Sequence, residues 1–177
     1  MTLLAALSLP PEINRIARKI DAGERIETGE ALSLFQSNHL SLLGLLASGV
    51  KKRLSGDYVF FNRNFHIEPT NICINHCKFC SYRRNRGQKD AWECSIEEMA
   101  GMIRSNLKFP FTEVHIVGGV HPARNVWFYA DLLKTIRGIA PHFHIKAFTA
   151  VEVDQMCRMA GISVEEGLKI LIAAGLH

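Results

Sequence analysis

Short β-branched strands alternating with amphipathic helices predict an α/β protein: the front part of a parallel (β/α) TIM-type barrel, preceded by an N-terminal helical segment. Residues 1–57 carry only helical periodicity, whereas residues 58–177 hold three strand-like runs, each followed by a helical one. Strands separated by helices pair in parallel through right-handed crossovers. A closed eightfold barrel takes roughly 250 residues. With 177 residues and three β/α units, the chain is expected to be a barrel truncated after its third unit.

Each element has its own signal. Ile13, Ile16, Ala17 and Ile20 recur at helical spacing, and Thr28 opens a short helix through Leu34. Leu43, Leu46, Val50 and Leu54 form the apolar stripe of a third helix. It ends at Lys51–Arg53 and Ser55-Gly56, which puts cations at the negative end of the helix dipole. Tyr58–Glu68 alternates and is rich in aromatics, so it reads as a strand. Ser95-Ile-Glu-Glu98 is a capping box for a helix through Leu107, and Thr112–Val117 is a β-branched strand ending in Gly118-Gly119. Trp127–Ile139 is helical, His144–Phe148 is a strand, and Ser163-Val-Glu-Glu166 caps a helix that runs to Gly175.

Composition narrows the function classes. Apolar content of 47% and charged content of 21% are those of an ordinary globular domain. No apolar run reaches membrane-spanning length, and the N-terminus lacks the positive region of a secretory signal, so no membrane insertion and a cytoplasmic location are expected. The odd count of five cysteines argues for metal chemistry over a disulfide framework. A net charge of +4 is mild, and the basic run Arg83–Arg86 suits a small anionic substrate or a solvated loop better than nucleic acid. No GxGxxG dinucleotide fingerprint occurs.

The chemistry concentrates at Cys73, Cys77 and Cys80, a C-x3-C-x2-C loop that follows the first strand. Three thiolates can hold three irons of a [4Fe–4S] cube that normally takes four, leaving one iron open. The competing reading is zinc, with His76 or Cys94 completing a tetrahedron. Cys94 and Cys157 otherwise read as small buried hydrophobes. Ligands of parallel β/α folds bind at the carboxyl ends of the strands. The cysteine loop, Gly118-Gly-Val-His-Pro122 and Thr149-Ala-Val-Glu152 all fall at such ends. Alternation puts Asn64, His66 and Glu68 on one face of the first strand, and separates His144, Lys146 and Phe148 from Ile145 and Ala147. His66, Glu68 and Lys146 are expected to line the cavity as catalytic or substrate-binding groups, with Asn64 and His144 nearer solvent.

The cysteine loop, with Phe79 before its last cysteine, resembles the radical S-adenosylmethionine superfamily. The resemblance implies that the open iron is chelated by S-adenosyl-L-methionine, which one electron cleaves to a 5′-deoxyadenosyl radical. It further implies that Phe79 packs near the adenine and that Gly118 and Gly119 receive the amino group. Val120 stands where that superfamily usually has an acid, leaving the contact to main chain. Thr149 and Glu152 complete the expected cofactor set. Three strings, Glu68–Cys73, His115–Pro122 and His144–Glu152, look like the aminofutalosine synthase family of menaquinone biosynthesis, over its N-terminal half. That resemblance implies transfer of the adenosyl radical to 3-[(1-carboxyvinyl)oxy]benzoate, giving 6-amino-6-deoxyfutalosine. An electron donor such as flavodoxin or ferredoxin is implied with it. Lys146, with Arg83 or Arg84, is the expected carboxylate partner and His66 the proton-transfer group. Dehypoxanthine futalosine cyclase and deazaflavin (FO) synthase families are the neighbouring alternatives, and a zinc-stabilised RNA-binding module is the more distant one.

Overall fold

The computed structural model describes residues 9–177, so the reading of the extreme N-terminus falls outside the described residues. The chain divides into two compact units, Met1–Phe61 and Asn62–His177.

The first unit holds α1 (Pro11–Asp21), α2 (Thr28–Gln36) and α3 (Leu40–Ser55). Pro11 opens α1, where its missing N–H costs nothing. Ile13, Ile16, Ala17, Leu34, Leu42 and Leu46 form the core. In α3 the buried stripe is Leu42 and Leu46, while Leu54 is exposed, so the expected stripe is rotated by about one residue. Glu30 is buried and held by Arg15 at 2.6 Å and Lys19 at 2.9 Å. Those bonds and the Glu27 N–H pull its carboxyl down to about 2. The cations at the end of α3 are used locally: Lys51 donates to Gly56 O, and Arg53 to the last carbonyls of α1. No described helix is long and apolar enough to cross a membrane.

The second unit is a three-stranded parallel sheet in the order β1 (Asn64–Ile67), β2 (Glu113–Ile116), β3 (His144–Ala147). The helices α4 (Ile96–Asn106) and α5 (Val126–Ile139) cross over between strands, and α6 (Ala150–Ala160) and α7 (Val164–Ala173) follow β3. The helices bury Met99, Ile103, Leu132, Leu133, Ile136 and Leu171 with Ile67, Val114, Ile116 and Ile145 in one core. Gly167 lets α7 approach α6, since a Cβ there would stand 2.2 Å from Cys157 Sγ. Cys157 is buried, as expected of a small hydrophobe, whereas Cys94 is only half-buried.

Two boundaries differ from the sequence expectation. The first strand is four residues, not the whole of Tyr58–Glu68, because only Asn64–Ile67 lies in register with β2; Tyr58, Val59 and Phe60 stay exposed. A helix, α6, begins at Ala150. Its first turn is closed by Thr149 and Glu152, a capping box with the same spacing as those of α4 and α7.

Candidate active site

The cysteine loop stands on a buried polar base. Thr70 Oγ1 donates to Trp92 O at 2.8 Å and accepts from Ile72 N at 3.0 Å. Asn71 bridges the same stretch, donating to Asp90 O at 2.9 Å and accepting from Trp92 N at 2.8 Å. Buried amides without such partners would each cost about 1–3 kcal/mol, so these bonds fix the loop's path. Cys73 N then donates to Arg84 O at 3.2 Å, and Cys80 N to Cys77 O at 3.0 Å. Cys77 and Cys80 are exposed, Cys73 is half-buried, and none is in a disulfide. Phe79, between them, is 92% exposed.

Arg83 and Arg84 are both spent on the loop itself. Arg83 donates to Cys73 O at 3.2 Å, lies 2.9 Å from His76 Nε2, and bonds Asn85. Arg84 pairs with Asp90 at 2.6 Å and donates to the carbonyls of Ser81 and Arg83 at 2.9 Å. Their expected role as carboxylate partners therefore competes with a scaffolding one.

The three expected segments do converge. Gly119 N donates to Thr70 O at 2.7 Å, and Ile74 N to Val120 O at 2.9 Å, which zips the cysteine loop to the glycine loop. The glycines are sterically required. A Cβ on Gly119 would lie 2.4 Å from Ile72 O, and one on Gly118 would lie 2.9 Å from Thr70 O. Gly118 N donates to Glu152 Oε1 at 3.1 Å. Glu152 Oε2 meanwhile accepts from Thr149 N at 2.7 Å and Thr149 Oγ1 at 2.8 Å. Thr149 and Glu152 thus tie the start of α6 to the glycine pair. The equivalent carboxyls Glu98 and Glu166 are pulled down by their capping bonds. Burial pushes Glu152 up instead, against those bonds.

Behind these loops sits a cluster that sequence reasoning missed. Arg124 donates to Pro69 O at 3.1 Å and Cys94 O at 2.8 Å, lies 3.4 Å from Glu93, and packs its guanidinium 4.3 Å over the Phe128 ring. The His121 side chain is 2% exposed, with Nε2 2.9 Å from Glu93 and Nδ1 accepting from Ala123 N at 3.1 Å. Burial and then Arg124 push the imidazole below its ordinary value, so it is neutral. Glu93 and Arg124 give no periodic signal, though His121 lies inside the string His115–Pro122. Phe148, just past β3, holds φ 67, a left-handed conformation that costs a non-glycine residue about 1–2 kcal/mol. Its ring packs at 5.0 Å against Tyr129, whose hydroxyl burial pushes up to about 12.

His66, His115 and Lys146 stand in register across the three strands. His66 and Lys146 are exposed, His115 is half-buried, and the two imidazoles are 4.8 Å apart, edge to face. Glu68 accepts from Tyr82 Oη at 2.9 Å. A pocket lined by His66, Glu68, Trp92, Cys94 and Met102 opens beside β1.

Among the described residues, no three His, Cys, Asp or Glu side chains converge on a single metal position. His76 is turned to Arg83, and the Cys94 thiol to Glu68 O at 4.0 Å, so neither completes a tetrahedron with the cysteines. A zinc ion needs its sulfur ligands at about 2.3 Å. A [4Fe–4S] cube takes soft thiolate donors, each on its own iron, and Cys73, Cys77 and Cys80 are free thiols on one loop.

No family model matches the chain. It is 37% identical over 162 residues to aminodeoxyfutalosine synthase of Streptomyces coelicolor, covering 92% of this chain and 42% of the relative. It is 35% identical over 158 residues to 5-amino-6-(D-ribitylamino)uracil–L-tyrosine 4-hydroxyphenyl transferase of Methanocaldococcus jannaschii, covering 87% and 44%. The FeFe-hydrogenase maturase HydG of Carboxydothermus hydrogenoformans shares its fold, with a TM-score of 0.66 at 19% identity over 93% of this chain and 46% of that one. The chain belongs to the radical S-adenosylmethionine family. It matches the N-terminal part of that family's members and spans about half the length of the curated relatives it matches. For a radical S-adenosylmethionine protein the three-stranded sheet is a partial barrel, with the cysteine and glycine loops at its carboxyl edge.

Proposed function

We propose that the protein is a radical S-adenosylmethionine transferase of the aminodeoxyfutalosine synthase type, acting in the cytoplasm on a small anionic vinyl ether, 3-[(1-carboxyvinyl)oxy]benzoate. The observation that carries this reading is the zipping of the three-cysteine loop onto the Gly118-Gly119 loop, joined to the identity with the Streptomyces enzyme. Cys73, Cys77 and Cys80 would hold a [4Fe–4S] cluster, and Phe79, Gly118, Gly119 and Val120 would bind S-adenosylmethionine beside it. When bound, the pair supplies one-electron cleavage of the sulfonium and delivers the adenosyl group; a flavodoxin- or ferredoxin-like donor provides the electron.

The chain's own residues would do the remaining work. The Gly118 and Gly119 carbonyls accept no hydrogen bond among the described residues, so they are open to an ammonium donor. Exposed Phe79 offers a face to cover the adenine. Thr149 and Glu152 act from behind, holding Gly118 by its N–H. Lys146 would meet a substrate carboxylate, and Glu68 and His66 would handle protons at the first strand.

Anaerobic reconstitution of the full-length protein, followed by incubation with reductant, S-adenosylmethionine and the enolpyruvyl benzoate, tests this directly. Mass analysis should find 6-amino-6-deoxyfutalosine, and Cys77→Ala should abolish both product and the brown colour. A colourless, zinc-loaded protein, or a brown one that forms an adduct only with tyrosine-derived substrates, would sink the assignment.

A further inference from the structure

The sheet's polar face carries a row that none of the loops explains. At one level of three neighbouring strands stand His66, His115 and Lys146, in direct register. Neighbouring strands are about 4.8 Å apart, so basic side chains stacked across them repel once charged. The acids of this face are engaged elsewhere. Glu113 is buried and accepts from Asn62 Nδ2 at 3.3 Å, and Glu68 accepts from Tyr82. Lys146 has no ion-pair partner among the described residues. A row of bases with its nearest acids already bonded is a cost to the fold that a bound anion would offset.

We propose that His115 is the centre of a carboxylate subsite on this face, flanked by His66 and Lys146, that takes an anionic end of the substrate. The transferase reading supplies the expected substrate, and the subsite deepens that reading by naming where its anionic end sits. Of the three basic residues, only His66 also lines the pocket beside β1, where Trp92 and Met102 stand with Glu68 and Cys94. His66 from β1, Lys146 from β3 and Glu113 on its own strand are the ionisable groups facing His115. Burial first, then His66 and Lys146, keep its imidazole below the ordinary value, so the free site holds a neutral ring. A carboxylate placed against it reverses that balance, and His115 takes up a proton from solvent as the anion binds.

Isothermal titration of the full-length protein with isophthalate, in two buffers of different ionisation enthalpy near neutral pH, reads both effects. Wild type should bind with net proton uptake. His115→Asn and Lys146→Met should each weaken binding about tenfold, the worth of one charge-assisted hydrogen bond. Lys108→Met, an exposed cation off this face, should change nothing. Lys146 is exposed, so its variant keeps the test valid even where His115→Asn unfolds. Failure of wild type to bind isophthalate, binding indifferent to both variants, or an equal loss in Lys108→Met would overturn the subsite. Variant-sensitive isophthalate binding without any adenosyl adduct would instead sink the transferase reading alone.

Discussion

The two faces of the sheet are made by alternate residues of the same three strands, yet they obey opposite rules. On one face Ile67, Val114, Ile116 and Ile145 are sealed under the helices. On the other, His66, His115 and Lys146 stand in a row, with His66 and Lys146 exposed and His115 half-buried. A period of two residues makes this separation possible, since neighbours along a strand point to opposite sides. The buried apolar side chains are therefore concentrated on one face and the ionisable groups on the other. Substitutions on the two faces should fail in different ways.

The largest effect is expected on the apolar face. Ile116→Ala removes a fully buried side chain from the middle strand and should lower unfolding stability by about 2–5 kcal/mol. Urea titration would read it as a lower midpoint with an unchanged slope. A loss below about 0.5 kcal/mol would mean that the core does not rest on this sheet. Gly119→Ala comes next, at the carboxyl edge where the two loops meet. Its Cβ would meet backbone, Ile72 O at 2.4 Å, so the cysteine loop must move, at about 1–3 kcal/mol. Cluster absorbance after reconstitution should fall with it, whereas Ile116→Ala protein that remains folded should still take up iron.

The apolar face was legible in the sequence and the polar face only in part. Thr112–Val117 and His144–Phe148 announce themselves by β-branching and alternation, and the capping boxes at Ser95 and Ser163 by their Ser-x-x-Glu spacing. The same spacing at Thr149-x-x-Glu152 read instead as ligand chemistry, because it sits where ligands bind. Its carboxylate serves both the cap, accepting from Thr149 N and Oγ1, and Gly118 N. The run from Tyr58 alternates throughout, but the strand β1 is Asn64–Ile67, and pairing is decided by register, which one chain's pattern does not encode. Arg124 joins Pro69 to Cys94 through its guanidinium, a contact between loops far apart in sequence that leaves no local trace. His115 lay inside a recognised string, yet its significance comes from standing between His66 and Lys146.

Lys146→Met tests the other side of the comparison. The side chain is exposed and removes a cation from a basic row, so stability should stay within about 0.5 kcal/mol of wild type while substrate affinity falls. A loss like that of Ile116→Ala would show that the polar face also carries the fold.

The finest distinction lies in how stability depends on pH. His115 has an ordinary value of 6.5, and in the fold it is pushed lower by burial, then by His66 and Lys146. A base whose value is depressed on folding binds fewer protons folded than unfolded, so its contribution is intact above 6.5 and is lost as pH falls through the lower, folded value. His115→Gln should therefore flatten the stability profile just below 6.5 without altering it above. Lys146→Met should do part of the same by letting His115 rise toward its ordinary value, and Ile116→Ala should shift the whole curve down with its shape kept. Thermal midpoints collected in small pH steps separate the three cases. A His115→Gln profile parallel to wild type across that window would mean that the imidazoles and the lysine do not feel one another across the strands, and the row would then be three independent solvated side chains.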